Sequence, residues 1–405
     1  MSNCARSSDP RNRSGRALLC AALAFAVAAC TPSLTLPEGQ LVARDHCATA
    51  SVRISFDFEG ASHSQCVIEG ERAFAVLVSP EHAPPINPSP WYAFRYEASP
   101  GDGVSVRLDY IGVEHRYAPK LMQPGGAETL SAIVADDGKS ATLALPPGTG
   151  TVSGQELFLA SRYRELGDRL VAAGSARMEE IGRSHDGRPI EAIRIGDDEA
   201  PGLVVLLGRA HPPEVSGAVA MEAFVKEIAG LVARGDVNPT RFQFLVVPLL
   251  NPDGVARGHW RANRGGRDLN RDWGEFSQPE TRAVGQVLDG LGNLIRPVLM
   301  IDFHSTRSNL FYVQGDSETD DREERFLASW LVSAEAALPG YPFTIERRNA
   351  NPGSGTSKNW FHEKFDIPAY TYEVGDETDR EAAADAARHF ARALVPALTE
   401  LAATR

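Results

Sequence analysis

A chain of 405 residues, 43% hydrophobic and 23% charged, has the composition of an ordinary folded protein and the length for two domains, which excludes intrinsic disorder. Its formal charge of −12 excludes a nucleic-acid partner, because holding phosphates takes a basic face rather than an acidic surplus.

The first thirty residues read as a targeting segment, with Arg11, Arg13 and Arg16 ahead of an apolar run, Ala17 to Ala29, too short to cross a bilayer as a helix. The run ends in Val27-Ala28-Ala29-Cys30, which looks like a bacterial lipobox. Cys30 would then be acylated and become the new N-terminus, and Thr31 behind it points to the outer membrane, facing the periplasm. An ordinary signal peptide ending in a chance cysteine is the alternative. The expectation is an exported, periplasmic protein that meets the membrane only through an N-terminal lipid. Cys4 and Cys20 leave with the signal, and in an oxidising compartment the remaining Cys47 and Cys66 are expected to pair.

From 31 to 153 short alternating runs, among them "ASVRISFDFEG", "AFAVLVS", "WYAFRYEAS" and "GVSVRLDYIG", predict strands with no long helix between them. This half reads as a small antiparallel β-sandwich domain. A second domain, 154–405, starts with helical spacing in "GQELFLASRYRELGDRLVAAG", then two strands joined by a turn at Asp186-Gly187. Strands at 202–207, 242–249, 297–303 and 367–374 then alternate with helices near 215–234, 278–294, 322–337 and 379–402. The fold class this predicts is α/β: a mixed, mostly parallel sheet flanked by helices. Sites in such sheets collect at the carboxyl ends of strands.

Three segments there carry chemistry. "GRAHPPEVSG" sets His211 and Glu214 around two prolines just past one strand, and "IDFHSTRS" sets His304 past another. Two imidazoles and a carboxylate are a catalytic zinc set, which leaves a fourth position for water, and Pro212 and Pro213 restrict the backbone between the first two ligands. A solvated histidine beside a helix-start glutamate would give the same short pattern. "AYTYEVGDE" places Glu373 among buried-strand residues, where a carboxylate is costly unless used or paired; an outward-facing strand position is the other reading. "WRANRGGRDLNRDW" is rich in guanidinium and amide groups suited to an oxyanion and a terminal carboxylate. The acidic run Gly315–Glu324 lacks the ligand alternation of a calcium loop.

In this order HPPE, RxNxxGxDLNRDW, DFHS and YTYE resemble the zinc carboxypeptidase family of carboxypeptidase A, and "IGRSHDGRPIEAIRIGD" resembles the family's opening hairpin. The resemblance implies one Zn2+ per chain on His211, Glu214 and His304. It implies Glu373 as the base and proton donor, Arg261 as the residue that polarises the scissile carbonyl, and Asn270 with Arg271 as the clamp on a free C-terminal carboxylate. Peptide or protein C-termini are the implied partners. "INPSPWYAFRYEA" resembles a signature of the sandwich preceding the catalytic domain in the cytosolic-type branch, with Trp91 and Tyr92 expected in sandwich core or interdomain packing. Aligning "SGTSKNWFHEKF" as the loop ending at the specificity pocket puts Lys358 under the last side chain, which implies a preference for C-terminal Glu or Asp. The mobile tyrosine of digestive members is missing, with Asn351 near its place, and neither Tyr341 nor Tyr370 can be assigned to it. Rival readings are a periplasmic amidase for the γ-D-glutamyl-diaminopimelate bond of murein peptides, an aspartoacylase-like deacylase, and a non-catalytic peptide-binding lipoprotein.

Overall fold

The structure is a computed structural model that describes residues 40–41, 46–82, 88–123, 126–349, 351 and 353–403. The segment expected to be a targeting signal, with Cys30, lies outside the described residues. Gly39–Arg405 form one compact unit.

Its first part is built from two six-stranded sheets. All four expected strands are present, as Val52–Ser55, Ala73–Val78, Ala93–Ala98 and Val104–Tyr110. Pairing is antiparallel except where Ala73–Val78 runs parallel to Val104–Tyr110. Inward residues of the two sheets, such as Val76, Phe94, Val106 and Leu143, share one apolar core. Trp91 and Tyr92 are buried in it, with the Trp91 indole donating to Gly60 O at 2.9 Å. Cys47 and Cys66 are joined as a disulfide, their Cα atoms 6.2 Å apart.

The second part carries an eight-stranded mixed sheet. From edge to edge its strands are Arg177–Arg183, Pro189–Ile195, Phe242–Val247, Gly202–Gly208, Arg296–Thr306, Ala369–Gly375, Leu310–Val313 and Thr344–Arg347. The central three neighbouring pairs run parallel. Both faces are covered. Alternate residues of Gly202–Gly208 point to opposite cores: Val204 and Leu206 meet the helices Val215–Arg234 and Arg380–Ala403, while Leu203, Val205 and Leu207 meet Pro279–Asp289 and Ser357–Phe365.

Several elements depart from the sequence expectation. Strands Leu310–Val313 and Thr344–Arg347 are four residues each, too short to display a period. The helix expected over 278–294 stops at Asp289, before Gly290. The segment read as a loop at "SGTSKNWFHEKF" is a helix from Ser357, capped by the Thr356 hydroxyl on Asn359 N.

One contact sets the position of the ligand-bearing elements. Gly217, in the first turn of the helix Val215–Arg234, lies so close to the strand of His304 that a Cβ there would sit 2.3 Å from His304 O. The Ser305 hydroxyl locks the approach by accepting from Gly217 N and from the Ser216 hydroxyl, both at 2.8 Å. Gly217→Ala is therefore expected to destabilise the fold by about 1–3 kcal/mol through overpacking and to lower zinc occupancy, read as a drop in thermal midpoint together with metal content.

Candidate metal centre and cleft

His211, Glu214 and His304 converge at the carboxyl ends of Gly202–Gly208 and Arg296–Thr306, and their donor atoms lie within 4.8 Å of one another. The turn bearing the first two is braced from behind. Arg209, at a left-handed φ of 56°, donates to Pro212 O at 2.7 and 2.9 Å and to Tyr163 OH at 2.9 Å. A non-glycine residue in that region stores about 1–2 kcal/mol, which the buried guanidinium contacts offset. Glu214 occupies the N-cap position of the helix Val215–Arg234 without capping it. Its carboxylate instead reaches His211 Nδ1 at 2.8 Å and His304 Nδ1 at 2.7 Å.

The outer nitrogens explain why those Nδ1 atoms point inward. His211 Nε2 faces Asp268 Oδ1 and His304 Nε2 faces Asp302 Oδ2, both at 2.9 Å. A carboxylate on Nε2 holds the proton there and leaves the Nδ1 lone pair free. The two Nδ1 atoms stand 3.2 Å apart, an arrangement of lone pairs and carboxylate oxygens that calls for a cation between them. The charges agree. Burial works against a charged His304 imidazole, but Asp302 and Glu214 outweigh it and raise its pKa. Burial works against the Asp268 carboxylate too, yet His211 and Arg261 hold it well below the usual range. Donor type, second-layer carboxylates and surplus negative charge all fit a zinc ion.

Glu373 stands directly opposite His304 in the parallel register of the two strands. Its Oε2 is buried and has no hydrogen-bond partner among the described residues. Burial pushes this carboxyl up to about 7, with Glu214 repelling it and His304 pulling the other way.

Arg261, Asn270, Arg271 and Lys358 line the same cavity of about 410 Å³. Arg261 Nε meets Asp268 Oδ2 at 2.6 Å, so one carboxylate orients both an arginine and a ligand histidine. Asn270 Oδ1 accepts from Ser357 N at 2.9 Å, and Ser357 Oγ in turn donates to Asp302. Lys358 Nζ donates to Arg348 O at 2.8 Å, and burial lowers its pKa to about 8 against the pull of Glu318 and Glu323.

Sequence reading passed over two carboxylates behind the ligand histidines and two residues of the cavity wall. Asp268 and Asp302 had a local signal, each being an acid two positions before a site residue. Tyr312, beside Thr371 in the antiparallel register, is the tyrosine that lines the cavity, whereas Tyr341 and Tyr370 are buried in the apolar core. Arg116 comes from the sandwich, reaches Asp376 Oδ2 at 2.9 Å and Ser89 Oγ at 2.7 Å, and had no local signal at all.

The purified protein is expected to hold one zinc ion per chain by elemental analysis. His304→Ala should abolish it, and Asp302→Asn should weaken zinc affinity about 10- to 100-fold in chelator competition.

Comparison with known proteins agrees with this geometry. Cytosolic carboxypeptidase 2 of Danio rerio is 27% identical over 172 residues, which is 40% of this chain and 24% of that protein. The chain thus spans about a quarter of the length of that curated relative. Two solved structures share the fold: a metallo-carboxypeptidase from Burkholderia cenocepacia (TM-score 0.74, 19% identity, 86% of this chain and 99% of that one) and one from Pseudomonas aeruginosa (0.66, 18%, 86% and 99%). The sequence profile described as zinc carboxypeptidase matches residues 170–391, more than half of the chain and the whole stretch that carries the metal centre, and the chain belongs to the zinc carboxypeptidase family.

Proposed function

We propose that this protein is a zinc carboxypeptidase that hydrolyses the last peptide bond of peptides or proteins and prefers C-terminal Glu or Asp. The observation that carries the reading is the convergence, in one cavity, of the three-ligand set, an unpartnered Glu373 oxygen and the cationic pair Arg261 and Arg271.

His211, Glu214 and His304 would hold a zinc ion, which would supply Lewis acidity and lower the pKa of a water. Glu373, poised by burial to exchange a proton near neutral pH, takes the water's proton and returns it to the leaving amine. Arg261 holds the negative charge that develops on the scissile oxygen. Asn270 and Arg271 hold the terminal carboxylate, which limits cleavage to the chain end. Lys358 offers an ammonium to an acidic last side chain. The asparagine near the place of the digestive tyrosine, Asn351, is exposed, and Tyr312 is a phenol that lines the cavity. Export to the periplasm and acylation at Cys30 belong to the same proposal, supported by the arginine-led apolar segment and the Val-Ala-Ala-Cys motif; radiolabelled palmitate on the parent chain and none on Cys30→Ala would bear them out.

Glu373→Gln is expected to keep zinc and lose about 10²- to 10⁴-fold in kcat; hydrolysis at the parent rate would remove Glu373 from its role. For specificity, peptides differing only in a last Glu, Asp, Leu or Lys are compared by mass spectrometry, with a muropeptide alongside. Lys358→Ala should cut the Glu-over-Leu ratio of kcat/KM about 10- to 100-fold. The same ratio should fall in the parent as pH rises through about 8, because the Lys358 ammonium is charged only below its pKa while the substrate carboxylate stays ionised throughout. Cleavage of the muropeptide alone would move the function to the cell wall, and no cleavage would leave a binding protein.

A further inference from the structure

Glu81 belongs to the sandwich part of the chain, just beyond the strand Ala73–Val78, and far in sequence from every residue discussed as reactive. Its two carboxylate oxygens accept three consecutive backbone N–H groups: Trp260 N at 2.7 Å, Arg261 N at 3.0 Å and Ala262 N at 2.9 Å. Three successive amides turned toward one carboxylate fix the backbone direction across Arg261, since charge-assisted bonds of this kind are about twice as strong as neutral ones.

The rest of that loop is moulded by the sandwich as well. Trp260 is buried within the sandwich's own apolar core, and its indole donates to Trp91 O at 3.1 Å. Gly258, at a φ of 61°, presses on the chain at Ala61, where a Cβ would come within 2.1 Å of Ala61 O. Gly60 N donates to Ala256 O at 2.8 Å. On the far side of the loop, Arg261 Nε meets Asp268, the carboxylate that also holds His211. Arg261 therefore has its side chain aimed by the metal-bearing part and its backbone held by the sandwich.

We infer that Glu81 is a positioning residue for the reaction: it holds the Trp260–Ala262 backbone so that the Arg261 guanidinium is already in place when charge develops on the scissile oxygen, and the sandwich is in this sense a working part of the active site. Preorganised donors act strongly because they need no rearrangement at the moment of reaction. Glu81 touches neither the three ligands nor Glu373, so its effect falls on kcat and leaves zinc binding alone. The inference rests on the reading of Arg261 as the oxyanion residue.

The test uses the full zinc-loaded chain and a peptide ending in Glu. Glu81→Gln keeps an oxygen acceptor and replaces the other with an amide that cannot accept; Glu81→Ala removes both. Both are expected to lower kcat about tenfold or more, up to the 10²- to 10³-fold seen for outright loss of an oxyanion donor, with KM changed less than threefold and one zinc retained. In the Arg261→Ala background, Glu81→Ala should cost less than a further twofold, because residues acting through one group are not additive. Thermal midpoints of all variants, and the milder Glu81→Gln, separate misfolding from mispositioning. If Arg261→Ala is impaired while both folded Glu81 variants turn over at the parent rate, the inference alone is overturned. Equal fold losses in both backgrounds overturn it too, whereas an Arg261→Ala chain at the parent rate would overturn the reading of Arg261 on which it rests.

Discussion

Four carboxylates, those of Glu214, Asp268, Asp302 and Glu373, crowd around two buried imidazoles. Like charges packed this closely and withdrawn from water are tolerable only where each oxygen has a proton, an arginine or a metal to face. That constraint organises the cleft. Asp268 and Asp302 fix the histidine tautomers, Arg261 compensates Asp268, and the inward Nδ1 atoms with Glu214 leave a cation-shaped demand at the centre. Among the described residues, Glu373 Oε2 and Asp302 Oδ1 are the buried oxygens of this cluster left without a partner, and the proposed task of the first is to take a proton.

Holding such a cluster requires rigid supports, and they come from elements packed on both sides of it. The parallel register sets His304 beside Glu373, and the close approach at Gly217 brings the Glu214 helix against the same strand. Arg209 ties the proline turn to Tyr163 and to Phe158 O behind the site. The helix that carries Lys358 is pinned to the metal site through Ser357, whose amide and hydroxyl bond Asn270 and Asp302.

The sandwich supplies the remaining supports. Arg116 pairs with Asp376, and Lys120 and the Ala118 amide engage Glu377, so the sandwich holds the turn after the Glu373 strand. Glu81 does the same for the Arg261 loop. Contacts this numerous make the first part of the chain a wall of the cleft and a scaffold for two of its loops.

The candidate ligands, Glu373 and the Asn-Arg pair were legible in the sequence because each sits in a short pattern at the end of a strand or in a polar loop, and the order of those patterns along the chain resembles that of the zinc carboxypeptidase family. The alternation of strands and helices was legible because hydrophobic period is a local property. Glu81, Arg116, Ser89 and Tyr312 were not. Glu81 and Trp260 are 179 positions apart, Arg116 and Asp376 260, and no local period or motif marks a carboxylate that will meet three distant amides. The two four-residue strands and the Ser357–Phe365 helix were missed because a few residues, or a helix opened by Gly-Thr-Ser, carry too little period to identify. The sequence by itself determined which groups could bind a metal and move a proton; only the tertiary structure decided which distant groups hold them in place, because positioning depends on hydrogen bonds formed by chain segments whose proximity is created by packing.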